Sequence, residues 1–439
     1  MKYDEYTIRF IREQILSDEI IIKARKKDVD FTRNRKLKVS DLILYNLNKR
    51  GLTTKMELDD FIKLCAKEDV STPALLKQRE KLNADVFKYL NDESIKNFYN
   101  KFSNEVKTFK KYVLLAIDGS DFEIPNTPIT RKNYKAQKSS TADKDRCARI
   151  KLSNCYDILN NYVIDTQIEN NKYDEIKLAK NHLIKTKEII NNHKIVRIMD
   201  RGYASLSDMY HSIQNEDKFI VRIPKTFFKN EHKQMKSNDE IVEIKYQYDR
   251  IRSYKARDAE LYKYYEEGKT IKVRFVKILL TTGEIEILLT NLEMKKFSTE
   301  DINNLYQLRW GIETSYHYLK ENMKITNISS SKDGIIKQEI YSQMLVFNML
   351  QAIQNEAEKT IEQEKYKHKM KININMAVGY LKRYLIFLML EDDLKIREKL
   401  YDELVNKILK NIVPIRKERK FDRNTNTRNR HHLNKRKSF

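Results

Sequence analysis

The chain has 439 residues, 40% of them hydrophobic, and carries a net charge of +23 because 86 Lys and Arg outnumber 63 Asp and Glu. This composition excludes a wholly disordered chain, and eight glycines and five prolines exclude collagen-like or linker-like sequence. Its longest apolar runs, such as residues 384–390, are far shorter than the ~20 residues of a membrane helix, and the start MKYDEYTIRF lacks the apolar core of a secretory signal. We therefore expect a cytoplasmic protein of about three domains, without membrane contact, whose partner is a polyanion.

The first 105 residues predict a helical region, because charged and apolar residues interleave with few breakers. Ser71 or Thr72 suits a helix N-cap and Pro73 suits the first helical position. The two helices predicted near 75–82 and 85–90 form either a helix-turn-helix or part of an ordinary helical bundle. Both alternatives remain open at this stage.

Short apolar runs begin after Lys111 and predict a buried sheet. Helices are predicted over 173–190 and from 205, and the predicted strands are 112–117, 148–156, 162–168, 194–199 and 218–223. This order predicts a mixed α/β sheet covered by helices. Asp118 and Asp200 directly follow the first and fourth strands, although each alone is explained by a turn or a local ion pair. Cys147 and Cys155 fit small core residues better than metal ligands.

Residues 225–284 break this rhythm and predict a β-rich insertion, because Val242, Ile244, Tyr246 and Tyr248 alternate with polar residues. Residues 285–330 return to the core, and the chain beyond 331 is predicted to be helical. Residues 415–439 hold ten Lys or Arg against two acids. We expect this basic tail to be disordered alone and suited to phosphates.

The segment 298–324 carries the most informative pattern. Ser298 to Asp301 resembles a capping box that begins a helix. One face of this helix is predicted to be buried: Leu305, Leu308, Ile312, Tyr316, Leu319 and Met323. Another face mixes a carboxylate with cations and aromatic rings: Tyr306, Arg309, Trp310, Glu313, His317 and Lys320, with Lys324 in line. Such a face is typical of a site that grips phosphates, and the alternative is a solvated ion-pair stripe of Arg309 and Glu313.

Three carboxylates can meet in this arrangement. Ligands of open α/β sheets bind at the carboxyl ends of the strands, where Asp118 and Asp200 are predicted to lie. Glu313 lies on a helix that can cover the same edge. Hard oxygen ligands of this kind are what a two-magnesium phosphoryl-transfer site requires.

Tyr306, Arg309, Glu313 and Lys320 fit the pattern Y-(2)-R-(3)-E-(6)-K without deviation. With this signature, and with LLAIDGSDFEIP, IVRIMDRGYAS and LYQLRWGIETSYHYLK, the chain resembles bacterial insertion-sequence transposases of the type named after insertion sequence four. The resemblance extends over about residues 60–350 and weakens beyond them.

The resemblance implies an RNase H-like catalytic core, made of residues 106–224 and 285–330 and interrupted by the insertion at 225–284. It implies a DNA-binding helical region over 1–105 and a helical region with the basic tail over 331–439. Asp118, Asp200 and Glu313 become the DDE triad, which holds two Mg²⁺ ions for which Mn²⁺ can substitute.

The same resemblance implies DNA contacts from Tyr306, Arg309, Lys320 and Lys324, and a base held by Trp310 at a hairpin. The activity would be cut-and-paste transposition by a homodimer on double-stranded DNA, in the cytoplasm at the nucleoid. Transposon ends and target DNA would both be substrates.

Two other functions remain open, namely a Mg²⁺-dependent nuclease with the same core and a catalytically silent DNA-binding derivative. The intact triad argues against the silent derivative. Asp121 lies three residues beyond Asp118 and could assist or compete for metal. For Trp310 the alternative is a packing role against the insertion.

Overall fold

The computed structural model describes residues 2–134, 137–138, 146–170, 172–280 and 283–415. The side chain of Cys147 and all but the first residue of the predicted basic tail lie outside this description. The α-helices are α1 (Tyr3–Leu16), α2 (Ile20–Ala24), α3 (Val39–Leu47), α4 (Thr54–Leu64), α5 (Thr72–Lys81), α6 (Asp85–Lys101), α7 (Pro128–Asn133), α8 (Glu175–Ile189), α9 (Leu206–Gln214), α10 (Lys229–Lys233), α11 (Tyr248–Ile251), α12 (Tyr254–Arg257), α13 (Ala259–Glu266), α14 (Thr299–Leu308), α15 (Trp310–His317), α16 (Asp333–Lys359), α17 (Ile374–Leu390) and α18 (Leu394–Leu409). The strands are β1 (Tyr112–Glu123), β2 (Gln137–Lys138), β3 (Arg146–Cys147), β4 (Arg149–Asp157), β5 (Tyr162–Asn170), β6 (Lys194–Met199), β7 (Lys218–Ile223), β8 (Asp239–Ile244), β9 (Ile271–Leu279), β10 (Ile285–Thr290), β11 (Met370–Ile372) and β12 (Ile412–Pro414).

The main sheet has eight strands in the order β5-β4-β1-β6-β7-β10-β9-β8. β6 pairs parallel with both β1 and β7, whereas the other neighbours are antiparallel. All five strands predicted for the first part of the core are present, and together they run 3-2-1-4-5 in their order along the chain. The prediction of a mixed α/β sheet covered by helices is therefore confirmed.

The first predicted strand does not end where the sequence indicated. Asp118 and Gly119 were expected to form a turn, but β1 continues through them to Glu123. Antiparallel pairing with β4 holds this extension, with Asp118 opposite Asn154. The parallel pairing with β6 stops one residue before Asp118, so this carboxylate still lies at the edge where β6 ends.

The insertion is not the β-rich unit that the sequence indicated. Its alternation ends with β8 at Ile244, Tyr248 begins a short helix, and α13 follows. The Asp258 side chain accepts a hydrogen bond from the amide of Leu261 and so caps α13, whose Leu261 and Tyr265 are buried. β8 and β9 join the main sheet through β10, so the insertion extends that sheet.

Helices α6 and α16 form the centre of the helical regions. α6 buries residues along most of its length and packs against α1, α8, α16 and β5. A helix enclosed in this way has no free face with which to read a DNA groove, which favours the helical bundle over the helix-turn-helix. In the described ranges, no helix is both long and apolar enough to cross a membrane.

Candidate active site

Asp118 and Asp200 meet at the same edge of the sheet because β1 and β6 are parallel neighbours. The last paired residues are Ile117 and Met199, and each aspartate comes next in its chain. The Asp118 carboxylate accepts a hydrogen bond from the amide of Gly119 at 2.9 Å. Asp200 caps a 3₁₀ turn at 201–203, and its carboxylate accepts a hydrogen bond from the backbone amide of Gly202 at 2.5 Å.

The helix that carries Glu313 is interrupted at Arg309. α14 begins at the predicted Ser298 capping box, ends at Leu308, and is followed by α15 and a π-helical turn at Tyr318–Asn322. The predicted buried face is correct at five positions: Leu305, Ile312, Tyr316, Leu319 and Met323. It is wrong at Leu308, which is the last residue of α14 and is 41% exposed.

The end of this helix also differs from the prediction. Lys324 lies beyond the helix in a left-handed conformation, with φ of 53°, and its ammonium is 3.7 Å from Glu321. His317 is exposed. Lys324 therefore does not continue the predicted catalytic face, whereas His317 ends α15 one turn after Glu313.

Tyr316 fixes this helix onto the sheet. Its hydroxyl is 2.7 Å from the backbone carbonyl of Asp118 and accepts a hydrogen bond from the amide of Asn154 at 3.0 Å. The contact joins α15 to β1 and β4 one turn away from Glu313. Sequence reasoning placed Tyr316 on the buried face without foreseeing this positioning role.

Arg309 lies inside the protein between the aromatic rings and Glu313. Its Nη2 donates to Glu313 Oε1 at 2.9 Å, and its guanidinium lies 5.7 Å from the Tyr306 ring centre and 5.5 Å from that of Trp310. Arg309 and Tyr306 are buried, and within the described residues Arg309 Nε and the Tyr306 hydroxyl have no hydrogen-bond partner. The ion pair therefore exists, but it is not the solvated surface stripe considered as the alternative.

Lys320 anchors the far end of the helix to β1. Its ammonium donates to Ser120 Oγ at 2.7 Å and to the Asp121 carbonyl at 3.2 Å, and lies 4.5 Å from the Phe122 ring centre. Burial lowers the pKa of Lys320. Strand alternation places the Asp121 side chain on the opposite face of β1 from Asp118, which argues against a shared metal ion.

The acids of the site interact electrostatically. The pKa of Asp118 is raised to about 6, chiefly by burial; the Gly119 amide and Arg309 oppose the rise, and the negative charges of Asp200 and Glu313 add to it. Asp118 thus interacts electrostatically with both other predicted triad members and with Arg309. The structure brings these four predicted residues into one electrostatic site.

Sequence reasoning missed a fourth carboxylate, Glu175, at the first position of α8. A Cβ built on Gly202 would lie 3.1 Å from Glu175 Oε2 and 3.3 Å from Asp200 Oδ1, so both carboxylates border the same small space. Glu175 is ion-paired to Lys151 of β4. An acid in the first turn of a helix is explained by the helix dipole, so the sequence gives no separate signal for this role.

The described part of the chain contains no three His, Cys, Asp or Glu side chains close enough to hold one metal ion. Each acid is instead satisfied within the chain, Asp118 and Asp200 by backbone amides, Glu313 by Arg309 and Glu175 by Lys151. The donor set nevertheless fits a hard divalent cation, because it offers carboxylate oxygens whose mutual repulsion a cation would offset.

Comparisons with known proteins identify the family of the chain. Residues 109–349 match the family model described as the transposase DDE domain. Over 286 residues the chain is 21% identical to the transposase InsG for insertion sequence element IS4 of Escherichia coli (strain K12), covering 64% of this chain. The match spans about 60% of the length of that curated relative. The chain is also similar to the piggyBac transposase synaptic complex with hairpin DNA, at 11% identity and a TM-score of 0.44, over 96% of this chain and 88% of that one.

Proposed function

Because the chain belongs to the family of transposases with a DDE domain, we propose that Asp118, Asp200 and Glu313 are its catalytic carboxylates. The observation that carries this proposal is geometric: Asp118 and Asp200 directly follow the last paired residues of the parallel strands β1 and β6, and the Tyr316 hydroxyl binds the helix of Glu313 to the Asp118 carbonyl. All three residues lie within the matched range of 109–349. The 3-2-1-4-5 order of the first five core strands supports an RNase H-like core around them.

In this proposal the triad binds two Mg²⁺ ions, for which Mn²⁺ can substitute. Such ions activate the attacking water and stabilise the leaving 3′ oxygen. The protein contributes the positions of the ligands: the ends of two parallel strands hold Asp118 and Asp200, and the Tyr316 hydroxyl holds the helix of Glu313 against them. Fixed ligands of this kind lower the entropic cost of assembling the site.

In this proposal Arg309 and Lys320 bind phosphates of the DNA backbone. A guanidinium matches a phosphate with two parallel hydrogen bonds, and Arg309 already presents its fork between two aromatic rings. A DNA phosphate that takes Arg309 competes with Glu313 and releases that carboxylate. Lys324 contributes charge at the exposed end of the same segment.

We infer that the substrates are the double-stranded ends of an insertion sequence and a target DNA, joined by cleavage and strand transfer in a homodimer at the nucleoid. The relative named for an insertion sequence supports this substrate. Trp310 is 48% exposed beside Arg309, which suits a ring that stacks on a base at a hairpin end. A nuclease with the same core would cut such ends without joining them.

The test uses DNA that spans the flanks of the protein's own gene, incubated with Mg²⁺. Asp118→Asn, Asp200→Asn and Glu313→Gln should each abolish cleavage while binding to DNA stays within a few-fold. Asp121→Asn is the matched control, because its side chain lies on the other face of β1, and it should cleave normally. Cleavage by a triad variant would remove that residue from the site, and cutting without joined products would favour the nuclease.

A further inference from the structure

A cationic cleft lies beyond the end of the helix that carries Glu313. It has a volume of about 310 Å³ and lies between Arg50, the helix end at Asn322, and one face of α17 that presents Lys382 and Arg383. Of the described residues that line it, three are cationic and none is acidic. At Gly379 in this face an added Cβ would meet no atom within 4 Å, so the cleft has room for a ligand.

Lys382 is the buried charge of this cleft, with only 4% of its surface exposed. Its ammonium donates to the carbonyl of Lys49 and to Gln343 Oε1, and among the described residues it forms no ion pair with a carboxylate. Burial lowers the pKa of Lys382 to about 7. The charge of Glu57 opposes this shift without restoring the ordinary pKa. An ammonium has three donors and is costly to bury, and an anion in the cleft would offset that cost.

Contacts of the neighbouring residues hold the backbone of Arg50 in place. The Glu57 carboxylate accepts hydrogen bonds from the backbone amides of Arg50 and Leu52, each at 2.9 Å. Gly51 has φ of +83°, and a Cβ there would lie 2.9 Å from Asn327 Nδ2, so a larger residue would push this segment away. The glycine thereby lets Arg50 approach the end of the catalytic helix.

The cleft has a defined spacing from the proposed triad. Asn322 follows Glu313 by nine residues, which corresponds to about 13 Å of helix, with Lys320 between them. Phosphates of one DNA strand advance by ~3.4 Å per nucleotide along the duplex axis. The cleft therefore lies within a few nucleotide steps of Glu313.

We propose that this cleft binds a phosphodiester of the DNA, a few nucleotides from the bond that is cut. Arg50 and Arg383 are exposed at its rim and meet the phosphate oxygens, while Lys382 supplies charge from below. The distance to the cut rests on the proposed function, whereas the binding of a phosphate does not. The cleft extends the path of positive charge that starts at Arg309 and continues through Lys320.

The experiment measures the affinity of the full chain for a duplex from its gene's flanks over a range of salt concentrations, in EDTA so that no cleavage occurs. The Arg50→Ala/Arg383→Ala variant should bind about tenfold more weakly at low salt, and its log–log slope against salt should be shallower by about 0.9. The matched control is Arg9→Ala/Lys187→Ala, which removes two cations from exposed ion pairs with Glu13 and Asp217. This control should keep the wild-type slope.

A second measurement locates the phosphate. A single uncharged methylphosphonate linkage is placed in turn at each position near the cut; one position should weaken binding of the wild type, and the cleft variant should be insensitive at that position. Equal salt slopes for wild type, cleft variant and control would overturn the proposal. It would also be overturned if the cleft variant bound inorganic phosphate more weakly than the wild type but bound DNA equally well. Cleavage retained by the triad variants would refute the catalytic assignment and leave the salt slope unaffected, so the two failures are distinguishable.

Discussion

Replacing Asp118 by Asn should stabilise the metal-free protein while abolishing cleavage. In the folded protein, burial and the charges of Asp200 and Glu313 raise the pKa of Asp118 from 3.8 to about 6. The ionised carboxylate is therefore unfavourable in the folded state at neutral pH. Asn has nearly the same shape and can accept the same hydrogen bond from Gly119, but it carries no charge.

The size of this effect follows from linkage between protonation and folding. A pKa raised by about 2 corresponds to about 3 kcal/mol at ~1.4 kcal/mol per pH unit, and screening of the partly exposed carboxylate lowers the expected gain to about 1–3 kcal/mol. Because the folded pKa is the higher one, the penalty is absent below pH ~4, develops between about 4 and 6, and is complete above that. The variant should thus gain most at pH 8 and almost nothing near pH 4.

Urea unfolding in EDTA at pH 4.5, 6 and 8 measures this difference between wild type and Asp118→Asn. Asp121→Asn is the control and should leave the free energy of unfolding unchanged at each pH. Added Mg²⁺ should stabilise the wild type more than the variant and narrow the gap. A variant that is destabilised at pH 8, or a difference that does not depend on pH, would refute the electrostatic account of the site.

Four further outcomes test the remaining assignments. Arg309→Ala and Lys320→Ala should weaken end complexes in gel-shift assays or late steps in strand-transfer assays, and wild-type strand transfer in both would contradict their role; Mg²⁺ affinity should be unchanged in Lys320→Ala and higher in Arg309→Ala, which frees Glu313. The free energy of unfolding of Trp310→Ala should lie within about 1 kcal/mol of the wild-type value, because the ring is half exposed. This variant should nick DNA normally but form hairpins more slowly by about one to two orders of magnitude, and hairpin formation at the wild-type rate would exclude base stacking. Glu175→Gln should weaken Mn²⁺ binding about tenfold in calorimetry, and an unchanged affinity would leave this acid outside the metal site. Removing residues 415–439 should make the salt dependence of DNA binding shallower, and equal slopes would show that the tail does not contact phosphate.

The core strands could be predicted from the sequence because each is a short, buried, continuous apolar run. The same rule could not give the end of β1, since Asp118 and Gly119 resemble a turn and only pairing with β4 keeps them extended. In the insertion, the alternation of apolar and polar residues up to Tyr248 predicted strands throughout. Farther along the same segment, Asp258 caps a helix that buries Leu261 and Tyr265. Local periodicity therefore identified the strands, whereas their ends depended on neighbours distant in sequence.

The candidate site shows the same division. Spacing along one helix was enough to group Tyr306, Arg309, Glu313 and Lys320. The interruption at Arg309 was not foreseen, nor was the exposure of Leu308 just before it. Glu175 was missed because its partner Lys151 lies on β4, and nothing in a single sequence links two residues that meet only after folding.

The hydrogen bond between Arg309 and Glu313 has a consequence for when the protein is active. If DNA takes the guanidinium and thereby frees the carboxylate, DNA and divalent cation raise each other's affinity by the same factor, as thermodynamic reciprocity requires. A chain with a net charge of +23 will meet DNA of any sequence, so strong nonspecific attraction alone would be hazardous to its host. On the proposed function, this ion pair would keep the catalytic centre incomplete until a DNA phosphate binds Arg309.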